Sequence, residues 1–217
     1  APPRRGRACV LMHSTKERLI GAGLSMLLEN GYNALGLQAV LDQTSIPKGS
    51  FYHHFKDKED FALQVVEAYI TEVHTVLDQC LENSDIAPLE RIRSFFGIVQ
   101  QKYREEGYMG CLMGGLGQEL SGVNENFRKA IEGCLSSIAE RLSSCLKEAR
   151  KDGLIALDSD VRAMADLLVD CWEGAALRSR LRREPSSLAA MLDFYLASVT
   201  VAHTGEGDHA VRRMETT

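Results

Sequence analysis

The sequence predicts an all-α fold, with an N-terminal three-helix helix-turn-helix unit and a C-terminal helical ligand-binding and dimerisation domain. Three observations lead there. Apolar residues recur at spacings of three and four along most of the 217 residues, which is the period of one helix face. Glycine, proline and Asn/Asp/Ser clusters fall between these patterns, where helices start and stop. A short aromatic and basic stretch, Ile46 to Lys58, lies between two longer helical patterns.

The chain begins with a basic arm, residues 1–12, carrying Arg4, Arg5 and Arg7. A flexible arm of this kind reaches into a minor groove or along phosphates, or else is a solvated tail. Residues 13–60 are expected to form the DNA-binding unit. Thr15 to Asn30 reads as its first helix, with Leu19, Ala22, Gly23, Met26 and Leu27 on one face and Gly31 as the stop. Leu37, Val40 and Leu41 mark a short second helix ending near Thr44-Ser45.

The third helix is the aromatic one. Pro47 suits the first turn of a helix, and Ile46 before it is turned away from helical geometry. Phe51 and Phe55, four apart, share a buried face. That leaves Lys48, Ser50, Tyr52 and His53 facing outward with free polar ends, as a helix in a major groove requires. Gly49 permits close approach to DNA or to the preceding helix. Lys56 and Lys58 are placed to hold the phosphate backbone, and His54 is assigned to internal packing.

Residues 61–203 are expected to form the body, and 204–217 a flexible tail. Phe61, Val65, Val66, Tyr69, Val73, Val76 and Leu77 give one long helix from Lys58 to about Cys80. Pro88 opens the next, which Gly107 stops. From Gly107 to Gly117 five glycines crowd around Tyr108, Met109, Cys111, Leu112 and Met113, a composition for tight packing and a shaped cavity wall rather than a nucleotide loop. Cys111 is the cysteine least explained by a helical stripe. It reacts with an electrophile if its pKa is lowered, lines a pocket without reacting, or fills space beside a helix start. Asn124 to Lys151 forms a long amphipathic helix. The Asp158–Asp160 segment caps the next, and a last helix is expected from about Ser187 to His203. These last two helices are apolar enough to pack as a four-helix contact across a two-fold axis.

Formal net charge is −5. Residues 1–60 hold eight Lys/Arg and six Asp/Glu, hence +2, so the remainder, 17 against 24, is −7. This asymmetry fits DNA at the N-terminal end, and the net negative charge argues against indiscriminate coating of nucleic acid. Cys9, Cys80, Cys111, Cys134, Cys145 and Cys171 give neither a C-x-x-C pair nor a zinc pattern, so no metal and no cofactor is expected. Cys134, Cys145 and Cys171 lie on apolar helix stripes and read as core residues. No apolar run approaches the roughly 18 residues of a membrane span, and no secretory core follows the arm, so a cytoplasmic protein with no membrane partner is expected.

From Leu19 to about Phe61 the chain resembles the DNA-binding domain of the TetR family of bacterial regulators. The matching pieces are Gly31-Tyr32, Gly36-Leu37-Gln38-Ala39-Val40-Leu41, and Pro47 to Lys58 with Glu59-Asp60-Phe61 behind. Leu35-Gly36 stands where a polar residue is common, which weakens a phosphate contact there, and Thr44 stands where alanine is usual. Gly110-Cys111-Leu112, Gly117-Gln118-Glu119 and Trp172-Glu173-Gly174-Ala175 resemble the subgroup that includes the N-ethylmaleimide-reductase repressor and the acrylate-utilisation regulator. The resemblance implies a homodimeric repressor on a palindromic double-stranded operator. It also implies release by a small-molecule inducer, either an electrophile or a small unsaturated carboxylate. Tyr108, Met109, Cys111, Trp172 and Arg178 are the candidate sensing residues. A constitutive DNA-binding protein is the alternative. A thiol enzyme built on Cys111 with His74 or Glu119 is a weaker one, because nothing in the sequence brings those residues together.

Overall fold

The structure is a computed structural model that describes residues 14–107 and 109–201. The basic arm, Tyr108 and the tail from residue 202 onward lie outside the described residues. Among those described, nine α-helices follow one another: α1 (Thr15–Asn30), α2 (Leu37–Thr44), α3 (Lys48–His54), α4 (Lys58–Leu81), α5 (Pro88–Glu105), α6 (Leu112–Leu120), α7 (Glu125–Lys151), α8 (Val161–Arg182) and α9 (Ser186–Val199). None of them is long and apolar enough to cross a membrane.

Side chains fix the helix ends. Ser14 and Glu17 form a reciprocal capping box at the start of α1, and Gly31 leaves its end at φ 75°, open to glycine without strain. Asp57, Asn124 and Asp160 cap α4, α7 and α8 through their side chains. Gly36 precedes α2 with no side-chain cap, as expected where the polar residue is missing. Pro47 sits one position before α3 rather than inside its first turn.

The three-helix head does not have a closed core of its own. Phe61, the fourth residue of α4, is fully buried and meets Phe51 and Phe55 at ring-centroid distances of 5.2 and 4.8 Å. The same buried cluster runs on through Val65 and Tyr69 of α4 to Leu112, Met113 and Leu116 of α6 and to Phe127 and Ile131 of α7. A cut between residues 60 and 61 therefore divides one packed core. A second cluster, on α4, α5, α7, α8 and α9, fills the far end of the body, with Trp172 against Phe96 at 4.4 Å.

Two boundaries differ from those the periodicity suggests. The glycine-rich segment is not irregular throughout. Leu112, Met113, Leu116 and Leu120 are spaced to bury one helical face, and they carry α6 through its glycines. The last helix ends at Val199, not at His203, because the chain turns extended at Thr200, which pairs with Ile155, and the Val201 N–H donates to Leu154 O at 3.0 Å.

Gly23 is where α1 and α4 touch. An alanine Cβ there would lie 2.5 Å from Phe61 Cζ and 2.9 Å from Val65 Cγ2, both of them fully buried. Overpacking typically costs about 1–3 kcal/mol, more than the roughly 1 kcal/mol a helix gains from glycine to alanine. Gly23→Ala is thus expected to lower stability in urea unfolding. Gly133→Ala, with open space around its position on α7, should raise it or leave it unchanged.

Candidate DNA interface and sensing site

The outer face of α3 is assembled by burying its inner one. Phe51 is 1% exposed and pins the helix to the head core. Lys48, Tyr52 and His53 then stand exposed and Ser50 half-buried. Lys48 Nζ lies 5.9 Å from the Tyr52 ring centroid, a loose cation–π approach that keeps both on one face. No atom lies within 4 Å of a Cβ built at Gly49, so its open side is toward solvent and not against α2. Lys56 is exposed beside this face. Lys58 is half-buried, with Nζ over the Tyr32 ring at 4.5 Å. His54 is half-buried, consistent with a packing role. The turn before α3 is held by the Arg18 guanidinium, which donates to Thr44 O at 2.5 Å, while the buried Thr44 hydroxyl donates to Val40 O at 2.8 Å.

In the body, Cys111 is the residue preceding α6. It borders three spaces. One is an interior cavity of about 40 Å³, lined by Tyr69, Phe96, Tyr103, Trp172 and Glu173 among others. The second is a cleft of about 420 Å³ between α6 and α8, lined by Met109, Gly114, Glu173 and Arg180. The third lies at the junction with the head, against Leu27, Gly31 and Glu119. Trp172 and Met109 thus occur beside Cys111, one in the interior and one at the cleft. Arg178 does not; it is exposed on α8, and Arg180, two residues on, is the arginine that faces the cleft. The three-four periodicity of α8 does not distinguish positions 178 and 180 until the partner helix is known.

The thiol is not activated in the simple sense. Burial pushes the Cys111 pKa well up, and the Glu173 carboxylate pushes the same way. The Gly114 N–H and the Tyr103 hydroxyl work against them without prevailing. The resting group is a thiol, contrary to the lowered pKa that ready reactivity requires. Cys134 and Cys145 are raised to about 11, mainly by burial, as small core residues. Cys171 is half-buried rather than in the core.

The contact that sequence reasoning missed is Glu119, near the other end of α6. Its Oε2 accepts from the Tyr32 N–H at 2.8 Å and its Oε1 from the Asn33 N–H at 2.7 Å. These two amides begin the turn between α1 and α2. A Cβ at Gly31 would stand 2.6 Å from Glu119 Oε2, so that glycine also makes room for the carboxylate. Nothing in the sequence around Glu119 signals a partner 87 positions away.

A short outward-facing helix on a helix-turn-helix head, joined to a helical body with a cysteine-lined cavity, defines a DNA-binding regulator with a sensor domain. The model for bacterial regulatory proteins of the tetR family matches residues 19–65, and that for the tetracyclin repressor-like C-terminal domain matches 88–195. The chain belongs to the TetR family. It is 38% identical over 192 residues to the transcriptional regulator AcuR of Cereibacter sphaeroides, covering 86% of each chain. It is 27% identical over 172 residues to the HTH-type transcriptional repressor NemR of Escherichia coli, covering 79% of this chain and 86% of that one. Among solved structures, a regulatory protein TetR from Rhodobacter sphaeroides superposes with a TM-score of 0.81 at 36% identity, over 85% of this chain and 98% of that one. The reduced form of E. coli NemR does so at 0.76 and 26%, over 87% and 98%.

Charge-assisted hydrogen bonds of this kind are worth about 1.5–3 kcal/mol. Glu119→Ala is expected to make the Tyr32 and Asn33 amides exchange with solvent deuterium roughly 10- to 100-fold faster. Amides inside α7 should be unaffected. Unchanged exchange at both positions would mean the carboxylate holds nothing.

Proposed function

We propose that this chain is an inducer-released transcriptional repressor. It would act as a homodimer on a palindromic double-stranded DNA operator and lose the operator when a small molecule engages the cavity at Cys111. The observation that carries the reading is α6. The cysteine bordering the cavity immediately precedes this nine-residue helix, and near its other end Glu119 grips the head by two backbone amides. A displacement at the cavity is thereby a displacement of the head.

Two recognition helices meet successive major grooves only when spaced about 34–36 Å apart. An inducer shifts the equilibrium between spaced and unspaced dimers solely through its differential affinity for the two. In the dimer, α8 and α9 supply the contact. Leu167, Leu181 and Phe194 are each more than half exposed in the single chain, large apolar side chains that such a contact would cover. Names of relatives favour the regulatory reading: NemR is called a repressor and AcuR a transcriptional regulator.

On α3, Lys48, Gly49, Ser50, Tyr52 and His53 are the proposed groove contacts, with Lys56 and Lys58 at the phosphates. The arm residues Arg4, Arg5 and Arg7 are proposed to add backbone contacts. Tyr108, Met109, Cys111 and Trp172 are proposed at the sensing site.

The reading is tested by selecting DNA from a randomised pool and measuring binding by fluorescence anisotropy. A palindromic site should emerge, and a small thiol-reactive electrophile should release the protein from it. With Cys111→Ser the release should be lost. Selection of no consensus sequence would reject a specific operator. Lys48→Ala is expected to weaken binding at least several-fold and, if Lys48 meets a phosphate, to reduce the salt slope by about one. Phe194→Glu is expected to yield monomers by light scattering and to abolish operator binding with the helical content intact. A dimeric variant would place the contact elsewhere.

A further inference from the structure

The interior cavity has a chemical asymmetry. Its walls are mostly apolar and aromatic, from Val73, Phe95, Phe96, Leu135, Ile138 and Trp172, and its polar side chains are few, Tyr69, Tyr103, Cys111 and Glu173 among them. The Glu173 carboxyl and the hydroxyls of Tyr69 and Tyr103 each interact with the Cys111 thiol. Gly114 makes this possible. A Cβ at that position would collide with Glu173 Oε2, so the missing side chain is the space in which the carboxylate approaches the thiol. The residues lining the cavity include no Lys, Arg or His.

We infer that Glu173 is the proton acceptor for the Cys111 thiol and that the site takes a small, uncharged α,β-unsaturated aldehyde or ketone in preference to a free carboxylate. This rests on the reading of Cys111 as the sensing residue and deepens it. The reacting sulfur donates its proton to the Glu173 carboxylate as its lone pair forms the bond to the β-carbon. The C=C π pair shifts into the bond between the α-carbon and the carbonyl carbon, and the C=O π pair moves onto the oxygen, where the Tyr103 hydroxyl stabilises the enolate. Glu173 then returns the proton to the α-carbon. The sum is addition of S–H across C=C, which needs neither oxidant nor reductant.

The physical argument is one of charge. An anion entering the cavity would lose its hydration without meeting a cation, and would lie beside a second carboxyl group. A neutral carbonyl finds a hydroxyl donor and apolar walls. The resting thiol stays protonated because burial raises it, so reaction requires a base at hand rather than a free thiolate. Burial also raises the Glu173 carboxyl, which makes its carboxylate a stronger base than a solvated one. Room for about three water molecules limits the reactant to a few heavy atoms.

The test follows alkylation of the Cys111-containing peptide by mass spectrometry, using full-length protein without DNA. Methyl vinyl ketone and acrylate are the probes, each rate divided by that of a small free thiol with the same reagent. The ketone's normalised rate at pH 7 should exceed acrylate's at least tenfold. Glu173→Gln, checked for folding by thermal unfolding, should react about 100-fold more slowly with the ketone, within the usual range for a lost general base. Its rate should then climb tenfold per pH unit, while the wild-type rate levels off above the titration of Glu173. Tyr103→Phe should lower the ketone's rate about tenfold, which keeps the test open if Glu173→Gln does not fold. A Glu173→Gln variant that reacts as fast as wild type, or faster, would overturn the inference, because Glu173 would then only suppress the thiolate. Equal normalised rates for the two probes would overturn the preference and point to the cleft beside Arg180. Operator binding is measured separately. Glu173-dependent alkylation without DNA release would sink the repressor switch and leave this chemistry standing. Release without alkylation would do the reverse.

Discussion

A carboxylate that accepts two backbone N–H groups at the end of a helix is a rigid joint, and the rest of this molecule depends on one. Glu119 ties α6 to the turn between α1 and α2 at 2.8 and 2.7 Å. The Tyr32 ring behind that turn packs on Phe127 of α7, 5.3 Å between centroids, and lies under Lys58. Head orientation is therefore set by polar geometry on one side and by an aromatic contact on the other. Polar geometry of this kind has a steep energy profile, since a hydrogen bond is lost within an ångström or so of displacement. An apolar contact slides more readily. The joint thus converts a small shift of α6 into either a moved head or a broken pair of bonds.

The continuity of the core supports the same conclusion. Had the head closed its own core, the body could rearrange without informing it. Instead Phe61, Val65 and Tyr69 belong at once to the head's buried cluster and to the helix that enters the body, and Leu112, Met113 and Leu116 of α6 lie in that cluster too. Interiors packed at crystalline density do not deform gradually. Two arrangements separated by a repacking are the natural response, which is what a switch between operator-bound and released states requires.

Much of this was legible in the sequence, for identifiable reasons. The bounds of α1 follow from Gly31 and from a clean apolar stripe. The aromatic pair Phe51 and Phe55 fixes which face of α3 is free. What was not legible depends on long-range pairing. α6 hides behind its glycines, since composition argues for a loop while Leu112, Met113, Leu116 and Leu120 argue for a helix, and tertiary burial decides. Arg180 and Arg178 cannot be ranked without the neighbouring helix. Glu119 shows no local sign of its partners, because backbone amides carry no sequence signature. The pKa of Cys111 was legible only as a condition, and its actual direction comes from burial and from Glu173, 62 positions along the chain.

That direction bears on how such a sensor avoids firing needlessly. A solvent-exposed thiolate reacts with any electrophile or oxidant that reaches it, in proportion to its ionised fraction. A thiol whose pKa is raised by burial is nearly inert to bulk reagents. On the proposed reading, it would become reactive only toward a molecule that enters the cavity, aligns its carbonyl with a hydroxyl donor and leaves the carboxyl free to accept a proton. Selectivity then lies in the geometry of arrival rather than in the intrinsic nucleophilicity of sulfur. The requirement also accounts for one glycine of the cluster. At Gly114 a side chain would occupy the carboxylate's place. On the proposed reading, the short helix between Cys111 and Glu119 would carry whatever is added at the sulfur to the head.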